Sequence, residues 1–264
     1  MSFLQEVQYL WTEKLDQRVV DLPLIESSYY VPLIIFAYLY FVLSYGPRFM
    51  KNRQPYSLKT FIKLYNIIQI VGNVWLVYDY IDSGLFTNVS LMCPIVLDYS
   101  YNYTAIRISR GVWCYFLLKL LDYVETGIFI LRKKNNQVSR LHLYHHVTTL
   151  IFAWLSVRYL AVGPTALNCF VNSFIHVIMY IYYFLAASGP EIQKAILPMK
   201  QCLTISQMVQ FVLLILYVSQ NFLPNCKIME HWIVVLYIGN LLMNFYLFYN
   251  FYQKEYNKPK RKTL

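Results

Sequence analysis

The chain has 264 residues, of which 58% are hydrophobic and 18% aromatic, while only 14% are charged. Its apolar residues are gathered into runs that are too long for the core of a soluble domain, so the composition excludes a soluble globular protein and indicates an integral membrane protein. The formal net charge of +10 suits anionic lipid headgroups or a phosphate-bearing substrate, and we do not expect a nucleic-acid-binding protein.

Seven apolar segments each come near the ~20 residues that a helix needs to cross a bilayer. They cover residues 29–46, 61–81, 111–131, 143–161, 166–187, 201–222 and 231–252. The sequence therefore predicts an all-α integral membrane protein that forms one polytopic domain over residues 1–264. Residues 1–26 lack a continuous apolar core and do not resemble a cleavable signal peptide, so the first span is expected to act as the anchor,.

The distribution of basic residues between the spans predicts the orientation. The connections after the first, third and fifth spans, together with the tail at 253–264, hold most of these residues: Arg48, Lys51, Arg53, Lys59, Arg132, Lys133, Lys134, Arg140, Lys194, Lys200, Lys254, Lys258, Lys260, Arg261 and Lys262. By the positive-inside rule, the carboxyl terminus is expected in the cytosol and the amino-terminal segment 1–28 in the lumen. Lys260 and Lys262 also resemble a dilysine signal for retrieval to the endoplasmic reticulum, with a plain basic tail as the alternative.

Two features of the predicted lumenal loops fit this orientation. Asn88 and Asn102 each begin a sequon for N-glycosylation, which occurs on the lumenal side. Cys93 and Cys226 lie in two different lumenal loops, whereas the other cysteines fall within spans. Because the lumen is oxidising, the sequence predicts a Cys93–Cys226 disulfide, with two free thiols as the alternative.

Histidines within the spans indicate a reaction centre, because ionisable groups at membrane depth are costly and rare. His142, His145 and His146 share one face at the start of the fourth span, and His176 lies in the fifth,. Other polar groups follow single faces of the neighbouring spans: Lys119, Asp122, Glu125, Thr126, Asn168, Asn172, Tyr180, Tyr183, Thr204, Gln207 and Gln210. Most lie in the cytosolic half, which predicts one pocket open to the cytosol. For the amides and hydroxyls, hydrogen bonding between helices is the alternative role.

Four motifs occur in a fixed order between Lys119 and Phe211. They are Lys119-Leu-Leu-Asp122-Tyr-Val-Glu125-Thr126 with Arg132-Lys133-Lys134 after it, His142-x-x-His145-His146, His176-Val-Ile-Met179-Tyr180, and Thr204-x-x-Gln207-Met208-x-Gln210-Phe211. Together they resemble the successive signatures of the very-long-chain fatty acid elongase (ELO) family. One departure lies in the first motif, where the family usually has Glu and then Asp before Thr, whereas this chain has Asp122 and Glu125.

The resemblance implies a 3-oxoacyl-CoA synthase of the endoplasmic reticulum membrane, which condenses an acyl-CoA with malonyl-CoA and releases carbon dioxide and free CoA. It also implies that His145 accepts the acyl group, because an imidazole can attack a thioester. We assign orientation and proton movement to His142 and His146, and stabilisation of the enolate or oxyanion to His176. No metal and no cofactor besides the two CoA substrates are expected.

The remaining polar residues have expected supporting roles. Asp122 and Glu125 are suited to fix imidazole tautomers from the facing helix, with Lys119 paired to one of them. Further support around the histidines is expected from Thr126, Asn172, Tyr180 and Gln207. The phosphates of CoA are expected at the mouth of the pocket, on Arg132, Lys133, Lys134 and Lys200.

The apolar parts of the third to seventh spans are expected to enclose a tunnel for the acyl chain, running towards the lumen. Cys169, Tyr217 and Tyr237 lie near the lumenal ends of their spans and are the expected positions that set product length. No motif encodes the length or unsaturation of the chain. Besides the substrates and membrane lipids, other enzymes of the elongation cycle and a second copy of the chain are expected as partners.

Two other classes of protein stay open. The HxxHH pattern also occurs in membrane di-iron desaturases and hydroxylases, but their two iron ions need about eight histidines. This chain has four on the relevant side, too few even with Asp122 and Glu125 added,. A seven-span receptor or transporter is the non-enzymatic alternative. A receptor needs a ligand pocket open to the outside, whereas the polar residues here are concentrated in the predicted cytosolic half.

Overall fold

The computed structural model describes residues 15–93, 95–226 and 229–257, and these form helices and loops with no β-strand. The helices, in chain order, are α1 (Tyr30–Tyr40), α2 (Gly46–Met50), α3 (Lys59–Asp82), α4 (Tyr103–Leu121), α5 (Tyr123–Leu131), α6 (Arg140–Tyr159), α7 (Gly163–Ala186), α8 (Pro190–Ile196), α9 (Met199–Ser219) and α10 (His231–Tyr252). A π-helical turn at Phe41–Tyr45 joins α1 to α2, and another at Gln253–Asn257 extends α10. The predicted all-α fold is confirmed.

Five helical stretches are long and apolar enough to cross a membrane. They are Tyr30–Met50, Lys59–Asp82, Gly163–Ala186, Met199–Phe222 and His231–Asn257, and they cover the first, second, fifth, sixth and seventh predicted spans. The third and fourth predicted spans are also helical, as α4 with α5 and as α6, but these helices are less apolar because they carry the charged and histidine side chains. A multi-span helical membrane protein is thus confirmed, while the count of seven crossings stays a prediction.

Six long helices pack side by side in a closed ring. Around the ring, α3 contacts α7, α7 contacts α9, α9 contacts α10, α10 contacts α6, α6 contacts α4, and α4 contacts α3. Within this ring α4 also contacts α7, whereas α1 packs against α6 and α2 packs against α5. Large apolar side chains such as Phe36, Val71 and Leu216 are exposed on the outside, as expected for a surface that faces lipid tails.

Asp122 lies at a break between α4 and α5. Its N–H still donates to the carbonyl of Leu118 at 3.0 Å, but the next bond, from Glu125 N–H to the Asp122 carbonyl at 3.1 Å, spans only three residues. Such tightening from α to 3₁₀ spacing often marks a functional position in a helix. The break therefore sits at the carboxylates of the first motif.

One end of the bundle is covered by the amino-terminal segment, of which residues 15–28 are described. Arg158 of α6 is fully buried there, and its guanidinium donates to the Ile25 carbonyl and to Ser28 Oγ. Arg18 pairs with Asp16 at 2.5 Å and donates to a backbone carbonyl after α6. These charge-assisted bonds hold the segment against α6. The prediction for residues 1–14 lies outside the described residues, as does the dilysine pattern of the tail.

The same end carries the disulfide. Cys93 and Cys226 are bonded in the structure, with Cα atoms 5.5 Å apart and a sequence separation of 133. The bond ties the loop between α3 and α4 to the loop between α9 and α10, and Ile95 and Tyr217 pack around it. The two sequon residues, Asn88 and Asn102, are exposed beside this region.

Candidate active site

A cavity of about 990 Å³ opens at the opposite end of the bundle. Its wall comes from the start of α3, the end of α5, the start of α6, the end of α7, the start of α9 and the end of α10. The four histidines of the motifs line it together with both carboxylates of the first motif: His142, His145, His146, His176, Asp122 and Glu125. The structure therefore brings residues from separate motifs into one buried pocket.

The start of α6 presents three histidines to this cavity. Ser139 caps the helix, its Oγ accepting the N–H of His142 at 3.2 Å, so the first helical turn already carries the motif. The rings of His142 and His146 lie 4.0 Å apart, and that of His145 lies 5.6 Å from His146. His145 also contacts Phe248 of α10, with ring centroids 5.9 Å apart. His145 thus stands where the polar pocket meets apolar side chains.

The bent helix formed by α4 and α5 supplies polar partners to the α6 histidines. Glu125 Oε2 lies 3.7 Å from His146 Nε2, and Thr126 Oγ1 lies 2.7 Å from His142 Nε2. The Thr126 hydroxyl is also 2.9 Å from that of Tyr38 in α1. The expected pairing of a carboxylate with the histidines thus has its counterpart at Glu125.

Lys119 lies between His176 and Asp122. Its Nζ is 3.4 Å from Asp122 Oδ2 and 3.2 Å and 3.4 Å from the two ring nitrogens of His176. All three side chains are buried, at 2%, 3% and 5% exposure. A buried ammonium is tolerated only with such partners, and here they also aim its positive charge at an imidazole of the cavity wall.

Two residues of α3 complete the environment of Asp122 and were not predicted from the sequence. Gln69 Nε2 donates to Asp122 Oδ1 at 2.7 Å, and Tyr180 Oη donates to the same oxygen at 2.9 Å. Tyr65 Oη is 3.2 Å from Tyr180 Oη and accepts from Gln69 at 3.1 Å. Tyr65 and Gln69 share one face of the second span with Asn73 at four-residue steps, the same spacing that Asn168, Asn172, His176 and Tyr180 have in the fifth span.

Two other predicted supporting residues occupy different positions. Asn172 Oδ1 accepts a hydrogen bond from Tyr115 Oη at 2.9 Å, which joins α7 to α4. Neither residue is among the described residues that line the cavity. Gln207 of α9 does line it, 3.4 Å from the sulfur of Met179. Asn172 therefore forms a hydrogen bond between two helices and does not contact the cavity.

Basic residues surround the mouth of the cavity. Of the four predicted phosphate ligands, Arg132 and Lys200 line it. Lys133 instead donates to the carbonyl of Lys51 at 3.4 Å, and Lys134 is not among the lining residues of the described chain. Lys59 and Lys63 of α3 line the mouth and were not predicted. Lys200 pairs with Glu255 at 2.6 Å.

An apolar cluster continues from the cavity into the bundle. Phe248 lines the cavity and packs with Phe211, Leu214 and Leu241 in a cluster of α9 and α10 that includes Tyr237. Of the three positions expected at the tunnel end, Tyr237 is the one in this cluster. Cys169 packs in the core shared by α3, α4 and α6, and Tyr217 packs beside the disulfide.

One group of side chains in the described part of the chain could hold a cation. Donor atoms of Glu125, His142 and His146 lie within 4.8 Å of one another. Three donors suit one ion at most, whereas two iron ions would need many more ligands than this group offers.

The chain has relatives along nearly its whole length. Residues 23–264 match the sequence profile described as the GNS1/SUR4 (ELO) family. The chain is 38% identical over 256 residues to very long chain fatty acid elongase 4 of Mus musculus, covering 96% of this chain and 80% of that protein. It is 36% identical over 255 residues to very long chain fatty acid elongase 7 of Drosophila melanogaster, covering 96% and 76%. With very long chain fatty acid elongase 1 of Mus musculus it shares 36% over 247 residues, covering 93% and 88%.

Proposed function

Because the chain belongs to the GNS1/SUR4 (ELO) family, as the four motifs predicted, we propose that it condenses an acyl-CoA with malonyl-CoA to 3-oxoacyl-CoA, carbon dioxide and free CoA. It is an acyltransferase of fatty acid elongation. The observation that carries this proposal is the juxtaposition of four histidines and two carboxylates in one cavity with a basic mouth, with the buried Lys119 packed behind His176 and Asp122.

In the first step, the acyl group passes to His145. A ring nitrogen of the neutral imidazole attacks the thioester carbonyl, the C–S bond breaks, and the CoA thiolate leaves with a proton that passes through the neighbouring His146 or His142. The position of His145 next to Phe248 supports this role, because the carbonyl can lie at the imidazole while the hydrocarbon chain enters the apolar cluster beyond it.

In the second step, malonyl-CoA loses carbon dioxide. The electron pair of the broken C–C bond forms an enolate, whose carbon attacks the acyl carbonyl. The bond between that carbonyl and His145 then breaks, and the released ring nitrogen takes up a proton that reaches it from solvent through His142 or His146. The Lys119–His176 pair supports stabilisation of the enolate oxygen, because a buried positive charge behind an imidazole acts with little screening by water,. Asp122 holds Lys119 in place.

The substrates are held at the mouth and in the interior. Lys59, Lys63, Arg132 and Lys200 are available for the phosphates of CoA,. The acyl chain extends along Phe248 towards Tyr237 in the cluster between α9 and α10. No metal or further cofactor takes part in the proposed reaction, since the histidines act as nucleophile and proton carriers.

The protein is a multi-pass membrane protein, and we place its open mouth in the cytosol and its disulfide end in the lumen of the endoplasmic reticulum. The positive-inside rule supports this orientation, because Lys59, Lys63, Arg132 and Lys200 lie together at the open end,. Other elongation-cycle enzymes would receive the 3-oxo product at that mouth, and a homo-oligomer would pack through the lipid-facing helices.

The test is a condensation assay with purified protein in lipid nanodiscs. Labelled malonyl-CoA is supplied with acyl-CoAs of about sixteen to twenty-four carbons, and the products are identified by mass spectrometry. We expect a 3-oxoacyl-CoA two carbons longer than the substrate and one carbon dioxide per product. Absence of this product, together with two iron ions per chain by metal analysis, would favour the desaturase or hydroxylase class instead.

A further inference from the structure

The hydrogen bonds around His142 include a side chain from outside the six-helix ring. Tyr38 belongs to α1 and is 7% exposed. Its hydroxyl lies 2.9 Å from Thr126 Oγ1, which lies 2.7 Å from His142 Nε2. Neither Tyr38 nor Thr126 is among the described residues that line the cavity. The hydrogen bonds therefore reach His142 from behind, on the side away from the substrates.

Packing holds Tyr38 in this position. Its ring stacks on that of Tyr123, with centroids 3.7 Å apart and planes 15° apart. Val42 and Ile130 belong to the same buried cluster. Because the ring is fixed by these contacts, the hydroxyl stays directed at Thr126 without relying on the hydrogen bond itself.

The two hydroxyls can order their protons in two ways. If His142 Nε2 donated to Thr126, then Thr126 would donate to Tyr38, and the Tyr38 proton would need another acceptor. Within the described residues, Thr126 is the hydrogen-bond partner found for Tyr38 Oη. In the opposite order, Tyr38 donates to Thr126 and Thr126 donates to His142 Nε2, so that both hydroxyl protons are used. This order leaves the proton of neutral His142 on Nδ1.

We infer that Tyr38 is a positioning residue, which acts through Thr126 to hold His142 in the tautomer protonated on Nδ1 and its ring beside His146. The inference rests on the proposed function, in which His142 orients its neighbours and exchanges protons with them. It gives α1 a part in the reaction, although α1 contributes no side chain to the cavity wall described above.

The kinetic test uses Tyr38→Phe, which removes the hydroxyl and keeps the ring that stacks on Tyr123. We expect kcat for condensation to fall about fivefold, with KM for both CoA substrates unchanged because no substrate contact is lost. In a Thr126→Val background, Tyr38→Phe should have no further effect, since the chain of hydrogen bonds is already broken. Tyr40→Phe makes the same change on the exposed face of α1 and should behave as wild type.

Unchanged kcat in Tyr38→Phe, or fully additive losses in the double variant, would overturn the inference. Nitrogen NMR of protein labelled at histidine adds a readout that does not depend on activity. The His142 signals, assigned by their loss in His142→Gln, should show a protonated Nδ1 and an unprotonated Nε2, and Tyr38→Phe should give a mixture of tautomers.

A protonated Nε2 in the wild type would refute the inference even if condensation is observed. Conversely, the expected tautomer in a protein without condensing activity would refute the proposed function and leave the hydrogen-bond chain standing.

Discussion

Lys119 illustrates how a charge can be kept inside a membrane protein. The side chain is 2% exposed, and an isolated ammonium at that depth would lose its charge or destabilise the fold. Asp122 supplies the compensating carboxylate, and Gln69 and Tyr180 donate to that carboxylate in turn. The charge is therefore held as part of a network, and each member depends on the others for its position.

The covalent role of His145 gives a prediction at this scale. If an acyl-imidazole forms, acyl-CoA alone should release free CoA, up to one equivalent of enzyme, before malonyl-CoA is added. His145→Ala should abolish this burst, whereas His176→Ala should retain it and lose condensation. The measurement is rapid-quench quantification of free CoA. Wild-type enzyme that releases no CoA without malonyl-CoA would indicate a concerted mechanism, in which His145 acts as a general base.

The contribution of Gln69 to the network can be measured separately. Gln69→Leu keeps the side-chain volume but removes one donor to Asp122, so that Lys119 is held less precisely; we expect kcat to fall about tenfold with little change in KM. Gln210→Leu, a buried amide of α9, serves as the control. Equal losses in both variants would mean that the effect comes from general packing of the helices.

At the scale of the helices, the sequence predicted the elements well where hydrophobicity alone decides them. It predicted fewer of the features that depend on contacts between helices. The third and fourth predicted spans contain the charges and histidines, which lower their hydropathy. The break at Asp122 could not be predicted, because neither Asp122 nor its sequence neighbours are proline or glycine. Tyr65 and Gln69 have the same four-residue spacing as the polar face of the fifth span, but spacing alone does not separate them from polar residues that only bond neighbouring helices. The bond from Gln69 to Asp122 places them at the site. Likewise, Lys133 and Lys134 follow Arg132 in sequence but turn away from the mouth, since Lys133 adopts a positive φ of 54° as α5 ends.

The apolar cluster between α9 and α10 predicts which residue limits chain length. Tyr237→Ala should extend the longest product by about two to four carbons, because the removed ring is about as long as four methylene groups. Tyr217→Ala, beside the disulfide and outside this cluster, is the matched control and should leave the product distribution unchanged. The readout is the chain length of products from a range of acyl-CoAs. A shift in the Tyr217 variant alone would place the end of the chain nearer the disulfide.

At the scale of the whole molecule, the two ends of the bundle differ in kind. One end is open and basic, with Lys59, Lys63, Arg132 and Lys200 around it. The other is covered by residues 15–28 on α6 and by the disulfide-linked loops. Neither cover contributes a residue to the proposed chemistry.

The disulfide also reports on orientation. Peptide mapping under non-reducing conditions should recover Cys93 linked to Cys226, and a membrane-impermeant thiol reagent applied to sealed microsomes should label neither cysteine before or after reduction unless the membrane is permeabilised. Cys202, exposed near the open end, should be labelled in intact microsomes. Labelling of Cys93 or Cys226 without permeabilisation would reverse the proposed orientation.

The packed cluster around Tyr237 has a consequence for how the product leaves. A hydrocarbon chain that enters at the basic mouth meets packed side chains at the far end, so its methyl terminus goes in first and must come out last. Withdrawal through the mouth uncovers apolar surface worth ~0.8 kcal/mol for each methylene group that passes into water. Each added pair of carbons would then slow dissociation of the product. The turnover number at saturating substrate should therefore decline with chain length until product dissociation is the rate-limiting step.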